Sequence, residues 1–370
     1  MKLLLINSVS GIGSTGKIVA RIADDYISQG HEARIAYGRS DVVPKQYEPI
    51  SYRIGSSWEV KLHALSSRLL DNHGMCSKIS TEKFLKWANE YNPDVLWLHN
   101  LHGYYINIEK LFSWIKSRPH MQVKWTLHDC WAFTGHCTHF DFCGCEKWKT
   151  QCSNCPQTKE YPSSFLVDNS TKNYNRKRKA FTGVKKMEII TPSKWLAGLV
   201  KDSFLKEYPL SVIPNTIDTT VFKPTASEFR KIQGLENKKI ILGVANVWDA
   251  RKGYQDFIKL RALLDDSFHI VLVGLTPKQI HELPKGITGI TRTNSASELA
   301  AIYTAADVFF NPTYQDNYPT VNIESEACGT PVITYNTGGA PETIALGESI
   351  IIPKGNISAA KTSIESLLIS

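Results

Sequence analysis

The sequence predicts two consecutive α/β domains, each a parallel sheet covered on both faces by helices. Three observations lead there. Apolar strand-like runs alternate with segments of helical period from end to end, the pattern of repeated βαβ units. A length of 370 residues is long for one hydrophobic core and comfortable for two. The strand–loop–helix unit that opens the chain is reopened by LGVANVWDARKG at residues 242–253.

The elements follow in order. Strands are expected at Lys2–Asn7, Glu32–Tyr37, Val95–His99, Val123–Leu127, Glu188–Thr191 and Ser211–Ile213, with a helix from Gly16 to Ser28. A second series is expected at Lys239–Val244, His269–Val273, Val308–Asn311, Val332–Tyr335 and Ile350–Ile352. Between the series PNTIDTTVFKP breaks the periodicity, so the division expected is a first domain 1–213, a linker 214–224 and a second domain 225–370. Hydrophobic content of 42% and charged content of 21% describe an ordinary soluble protein. No apolar run approaches the roughly 20 residues that span a bilayer. MKLLLINSV turns polar too soon for a signal peptide, so a cytoplasmic protein is expected.

The most informative stretch runs from Val308 to Glu342: VFFNPTYQDNYPTVNIESEACGTPVITYNTGGAPE. It reads as a strand, a polar loop with Asp316, a short helix with Glu324, a stop at Gly329, a second strand and a Gly-rich turn holding Gly339. Two carboxylates therefore fall at the carboxyl end of a parallel sheet, where open α/β folds bind ligands. The helix start near Pro319 and Thr320 aims free backbone N–H groups at the same place, which suits a phosphate. Carboxylates for sugar hydroxyls beside an amide-lined phosphate site suggest a nucleotide-sugar pocket.

These residues resemble the motif of family 4 glycosyltransferases, retaining enzymes of the GT-B architecture, with two Rossmann-like domains facing across a cleft. Asp316, Glu324, Ala327, Cys328, Gly329 and Pro331 fill it, with Asp316 one methylene shorter than the usual Glu. QGHEARIAY, LHNLHGYY, TLHDCW, TPSKW and IPNTIDTTVFKP look like further landmarks of the family in the expected order. Family members usually continue past Ser370 with a last helix that crosses back onto the first domain. The resemblance implies a first domain that binds acceptor and a second that binds the nucleoside-diphosphate sugar. It also implies that Asp316 binds sugar hydroxyls, Glu324 the nucleotide ribose, and His128 the donor sugar near its anomeric carbon. The expected mechanism is front-face attack, the donor phosphate oxygen taking the acceptor proton, with no metal required.

VANVWDARKG is similar to the family's diphosphate clamp of one Arg and one Lys. Lys252 falls on the Lys position; Asn246 and Val247 stand where the Arg is usual, and Arg251 is the nearest substitute. Cations aimed at the departing diphosphate stabilise the transition state more than the ground state. Gly11-Ile12-Gly13-Ser14-Thr15-Gly16 is a literal G-x-G-x-x-G. In a transferase Gly13 and Gly16 let the loop approach the donor pyrophosphate. Alone, the motif suggests an NADP-dependent oxidoreductase or a GT-B epimerase, with Arg39 meeting a 2′-phosphate. His99 and His102, on the loop beside His128, are candidates for acceptor binding.

Six of the eight cysteines lie between Cys130 and Cys155, in an expected loop insertion at 130–156. In a reducing compartment, clustered thiols favour structural zinc over disulfides, and Cys137, Cys145, Cys152 and Cys155 are the preferred four. Cys143 and His136 are alternatives, and free thiols packed in a loop remain the rival reading. HDCWAFTGHC…CEKWKTQCSNCP also looks like a branch of the family active in bacterial surface-polysaccharide assembly, of the O-antigen, capsule and colanic-acid (lipopolysaccharide-related) kind.

The net charge of +8 is uneven: residues 1–200 hold 27 Lys and Arg against 17 Asp and Glu, and residues 201–370 hold 16 against 18. The excess is densest at Lys172, Arg176, Lys177, Arg178, Lys179, Lys185 and Lys186. A basic face attracts anionic membranes. With the transferase reading it implies a lipid-linked saccharide acceptor and peripheral attachment at the inner face of the cytoplasmic membrane. The other class, a zinc-containing nucleic-acid binder, lacks interleaved aromatics beyond Tyr174 and Phe181 and any finger or helix-turn-helix pattern, so no nucleic-acid partner is expected.

Overall fold

In the computed structural model of the protein, residues 1–369 are described. The chain divides into two compact units, Met1–Pro214 and Asn215–Ser370. In the first, strands β1 (Lys2–Ile6), β2 (Glu32–Tyr37), β3 (Ser51–Arg53), β4 (Val95–Leu98), β5 (Gln122–Thr126), β6 (Met187–Thr191) and β7 (Leu210–Val212) form one sheet. Its order is β3-β2-β1-β4-β5-β6-β7, and every neighbouring pair is parallel. Helices α1 (Gly13–Ser28), α2 (Ser57–Leu70), α3 (Lys78–Tyr91), α4 (Ile108–Lys116), α5 (Ser170–Phe181) and α6 (Lys194–Asp202) connect the strands.

The second unit has strands β8 (Lys239–Val244), β9 (Phe268–Val273), β10 (Ile287–Ile290), β11 (Val308–Asn311), β12 (Val332–Tyr335) and β13 (Ile350–Ile352). They run in the order β10-β9-β8-β11-β12-β13, again all parallel. Its helices are α7 (Phe229–Gln233), α8 (Tyr254–Leu263), α9 (Pro277–His281), α10 (Ala296–Ala305), α11 (Thr320–Ala327) and α12 (Ile357–Ile369).

Strands covered on both faces read as continuous apolar runs, and β1 does so from Leu3 to Ile6. Leu4 and Ile6 enter one core with Phe112, Trp125 and Phe181, while Leu3 and Leu5 enter another with Val19, Ala23 and Ile35. The second sheet is sandwiched likewise: Ile241 and Phe310 face Phe257 and Tyr335, whereas Ile240, Leu242 and Phe309 face Tyr303 and Val332. In each unit the strand order reverses once, between β1 and β4 and between β8 and β11. At such a switch point the loops leave in opposite directions and open a crevice.

Two strands escaped the sequence. β3 and β10 lie at sheet edges, pair on one side only, and so need no continuous apolar run. Residues 127–169, between β5 and α5, contain no strand, only short 3-10 turns at Trp131–Phe133, Asp141–Cys143 and Lys147–Lys149. Of the basic run, Lys172, Arg178, Lys179, Lys185 and Lys186 are exposed, but two members turn to protein partners. Lys177 is buried, its Nζ donating to the carbonyls of Trp131 at 2.8 Å and Thr134 at 3.1 Å and standing 3.6 Å from the Trp131 ring. Burial lowers its pKa to about 7. Arg176 is forked onto Glu109 through two hydrogen bonds of 2.8 and 2.6 Å.

Candidate active site

The crevice of the second unit gathers most of the expected residues. Asn246, Arg251 and Lys252 follow β8, and Asp316, Thr320 and Glu324 follow β11, so both loops flank the switch point. They are tied together. The Tyr314 N–H donates to the Arg251 carbonyl at 2.7 Å, and the Arg251 guanidinium donates to the Gln315 carbonyl at 2.8 Å. Lys252 Nζ lies 2.5 Å from Asp316 Oδ2, with both side chains 20% exposed. The expected phosphate-binding cation and the expected sugar-binding carboxylate therefore hold each other. Asn246 is exposed.

Helix α11 starts at Thr320 with no side-chain cap at Pro319, although the Asn322 N–H turns back to the Pro319 carbonyl at 3.2 Å; a helix start of this kind suits an anion. One turn on, Glu324 Oε2 receives the Tyr303 hydroxyl at 3.2 Å. Beneath, Asn311 donates to Asn322 at 2.8 Å, and Asn322 donates to Thr343 at 2.8 Å, which pins α11 to the end of β11.

Two glycines set the spacing. A Cβ on Gly253 would meet the Pro312 carbonyl oxygen at 2.2 Å, so the two loops approach this closely only with glycine there. Gly338, at φ +57°, leaves 2.1 Å between a would-be Cβ and the Asp316 carbonyl oxygen. The Gly339 N–H then donates to that same oxygen at 3.0 Å. Sequence reasoning found Gly339 but missed Gly253, Gly338, Asn322 and Tyr303. It also missed Asp256, which is 2% exposed and receives the hydroxyls of Tyr314 and Tyr335, each at 2.8 Å. A carboxylate at an inward position of α8 was the available signal.

The first unit carries a separate cluster on its own switch-point loops. Gly13 opens α1 at φ +64°, and Gly16 packs against Val9 in the first turn. His99, after β4, stands 3.0 Å from His128, after β5. Burial keeps both rings neutral, holding His128 at about 4 and His99 well below its ordinary value. His102 Nε2 is 2.7 Å from Asp129 Oδ2 and its Nδ1 is 3.2 Å from the Tyr161 hydroxyl. Burial raises the Asp129 pKa, but the neighbouring His102 outweighs it and brings the group to about 2. His99 Nε2 and Trp131 Nε1 are buried with no partner among the described residues.

All eight cysteines are free. Cys137, Cys145, Cys152 and Cys155 line one cavity of about 10 Å³, with His136 on its wall. The cavity, however, is not a ligand set as it stands. The Gly135 N–H donates to Cys152 at 3.2 Å, Cys143 donates to the Phe140 carbonyl at 3.2 Å, and His136 is turned onto Asp71 at 2.6 Å. Among the described residues no group of three or more His, Cys, Asp and Glu is arranged to hold a metal ion. The Cys137 thiol donates to Cys155, which raises the pKa of the first and lowers that of the second.

Comparison with known proteins gives the second unit its family. Residues 225–370 match the model of the family described as glycosyl transferases group 1. They form a group 1 glycosyl transferase domain.

Two curated relatives extend the likeness. WcaC of Escherichia coli (strain K12), provisionally assigned as a colanic acid biosynthesis glycosyl transferase, is 26% identical over 264 residues, covering 68% of this chain and 62% of its own length. The D-inositol 3-phosphate glycosyltransferase of Stackebrandtia nassauensis is 29% identical over 167 residues, 40% of this chain and 38% of its own. Among solved structures, sucrose-phosphate synthase from Thermosynechococcus elongatus superposes with a TM-score of 0.72 at 17% identity, covering 100% of this chain and 90% of that one. WaaG, a glycosyltransferase involved in lipopolysaccharide biosynthesis, gives 0.66 at 17%, covering 100% and 91%. HepE of Anabaena, solved with UDP, gives 0.65 at 16%, covering 100% and 90%. The fold is GT-B, and the two tied loops with α11 are the switch-point crevice of its group 1 domain.

Proposed function

We propose that the chain is a retaining glycosyltransferase that moves a sugar from a nucleoside-diphosphate sugar to a lipid-linked saccharide in surface-polysaccharide assembly. The observation that carries this reading is the Lys252–Asp316 pair beside the uncapped start of α11, in a domain of the group 1 family. One cation, one helix start and two carboxylates within a single crevice match a ligand that has a diphosphate at one end and hydroxyls at the other.

In the proposed reaction the diphosphate lies against the α11 N-terminus and Lys252, Asp316 receives sugar hydroxyls, and Glu324 receives the ribose. As the anomeric C–O bond breaks, charge grows on the departing phosphate, where the start of α11 and a Lys252 drawn off Asp316 would stabilise it. The acceptor oxygen attacks from the same face and its proton passes to the leaving phosphate oxygen. His128, neutral at working pH, acts as a hydrogen-bonding group rather than a cation. WcaC's assignment to colanic acid and WaaG's involvement in lipopolysaccharide support the polymer class, and HepE's UDP supports the donor class.

The test is thermal stabilisation of the purified chain by UDP, GDP, ADP, their common sugar conjugates and NADP. Stabilisation by one nucleoside diphosphate, lost in Glu324→Ala, is expected. Stabilisation by NADP alone, or by none of these ligands, refutes the reading.

A further inference from the structure

Helix α2 is amphipathic in the wrong sense for a protein surface. Its inward side carries His63 and Ser67, 2% and 0% exposed, and ends in the buried Asp71. His63 lies 2.8 Å from Ser77 Oγ and accepts the Gly74 N–H at 3.1 Å, while Asp71 accepts the Asn169 N–H at 2.9 Å. Its outward side carries Trp58, Leu62, Leu65 and Leu69, which are 73%, 61%, 52% and 38% exposed. Those positions are spaced i, i+4, i+7 and i+11, a single helical stripe.

The stripe continues beyond the helix. The Phe165 N–H donates to the Arg68 carbonyl at 2.7 Å, which sets Phe165 and Leu166, 66% and 71% exposed, against the last turn. Scattered apolar residues on a surface are ordinary, but a contiguous strip of this length marks an interaction site.

Charge decides what covers it. Lys61 stands 5.1 Å from the Trp58 ring, and Lys61 and Arg68 are both exposed on the same helix. The one carboxylate in the helix, Glu59, is used by the Ser56 capping box. Residues 1–200 carry the chain's whole positive excess. Trp and Leu on one side with Lys and Arg at the margins is the make-up of a helix lying in the headgroup–acyl boundary.

We infer that the α2 strip, with Phe165 and Leu166, docks the chain on an anionic lipid bilayer. This deepens the proposed function, giving a lipid-linked acceptor its surface, and adds an apolar strip to the basic residues of α5 that stay exposed, Lys172, Arg178 and Lys179. The docking seats Trp58 and the leucines among acyl chains while Lys61 and Arg68 meet lipid phosphates.

The test is co-sedimentation of the full chain with vesicles of phosphatidylglycerol and phosphatidylethanolamine, and with vesicles of phosphatidylcholine alone. Wild type is expected to bind the anionic vesicles, more weakly at high salt, and the Leu62→Glu/Leu65→Glu variant at least tenfold less. Both substitutions point to solvent, so thermal stability and nucleotide stabilisation should be unchanged, which separates this inference from the transferase reading. Equal binding by variant and wild type, or no binding to anionic vesicles, overturns it. A concentration-dependent dimer that the double variant abolishes, without vesicle binding, assigns the strip to a second copy of the chain instead.

Discussion

Gly338→Ala isolates the positioning of Asp316 from the stability of the fold. Gly338 sits at φ +57°, and the new Cβ would stand 2.1 Å from the Asp316 carbonyl oxygen. Contacts of that kind do not fall below 3.0 Å, so the Asp316 loop or the Gly338 turn must give way by about 1 Å. Two effects follow. Left-handed backbone with a Cβ costs about 1–2 kcal/mol in stability. A shift of roughly 1 Å at a reacting site costs on the order of 100-fold in turnover. Gly234→Ala serves as the control, because Gly234 has φ +65° and nothing within 4 Å of its would-be Cβ. It should suffer the first effect without the second. Denaturant unfolding should therefore show similar losses for the two variants, whereas hydrolysis of the sugar nucleotide found by the stabilisation panel should collapse only in Gly338→Ala. Equal turnover in both would refute the placement of Asp316 in the site.

Lys252→Met should lower turnover by roughly 100- to 1000-fold, as expected for loss of one preorganised donor to a developing oxyanion, while circular dichroism stays unchanged. Tyr314→Phe and Tyr335→Phe each remove one hydroxyl from buried Asp256 and should each cost about 1.5–3 kcal/mol by denaturant unfolding. Only Tyr314, two residues before Asp316, should also weaken donor binding by calorimetry. His63 and His128, both lowered to about 4 by burial, take up protons on unfolding that they refuse when folded. Stability should be full above about pH 6.5 and fall as pH drops toward about 4, by up to roughly 3 kcal/mol per ring. Iodoacetamide mass spectrometry should find Cys155 alkylated ahead of Cys152 and Cys130, whose thiols burial pushes up; the reverse order would contradict the Cys137–Cys155 hydrogen bond.

Fold and site were legible to different depths. The central strands could be read because parallel strands buried on both faces leave long apolar runs such as KLLLI and KIILGV. The edge strands β3 and β10 leave none. The motif around Asp316 and Glu324 stood out because its chemistry is local in sequence. What the sequence hid is set by pairing across distance: Lys252 bound to Asp316, Arg251 turned onto Gln315, Arg176 forked onto Glu109. Lys177 shows the limit most clearly. Nothing in NRKRK distinguishes the one lysine that sits inside, capping two carbonyls over the Trp131 ring, from its solvated neighbours. The apolar stripe of α2 was open to a helical reading, yet whether a stripe faces in or out depends on what the remaining faces of the helix meet.

The Lys252–Asp316 ion pair sets one positive and one negative charge against each other in the crevice. On the proposed function, inorganic phosphate or a bare nucleotide would have to draw Lys252 away from Asp316, separating a partly buried ion pair. A whole sugar nucleotide brings a partner for each side of the pair at once, phosphate for the ammonium and hydroxyls for the carboxylate. On the proposed function the pair would work as a coincidence detector. On the same reading it would ease turnover, since the diphosphate left after transfer would compete with Asp316 for Lys252.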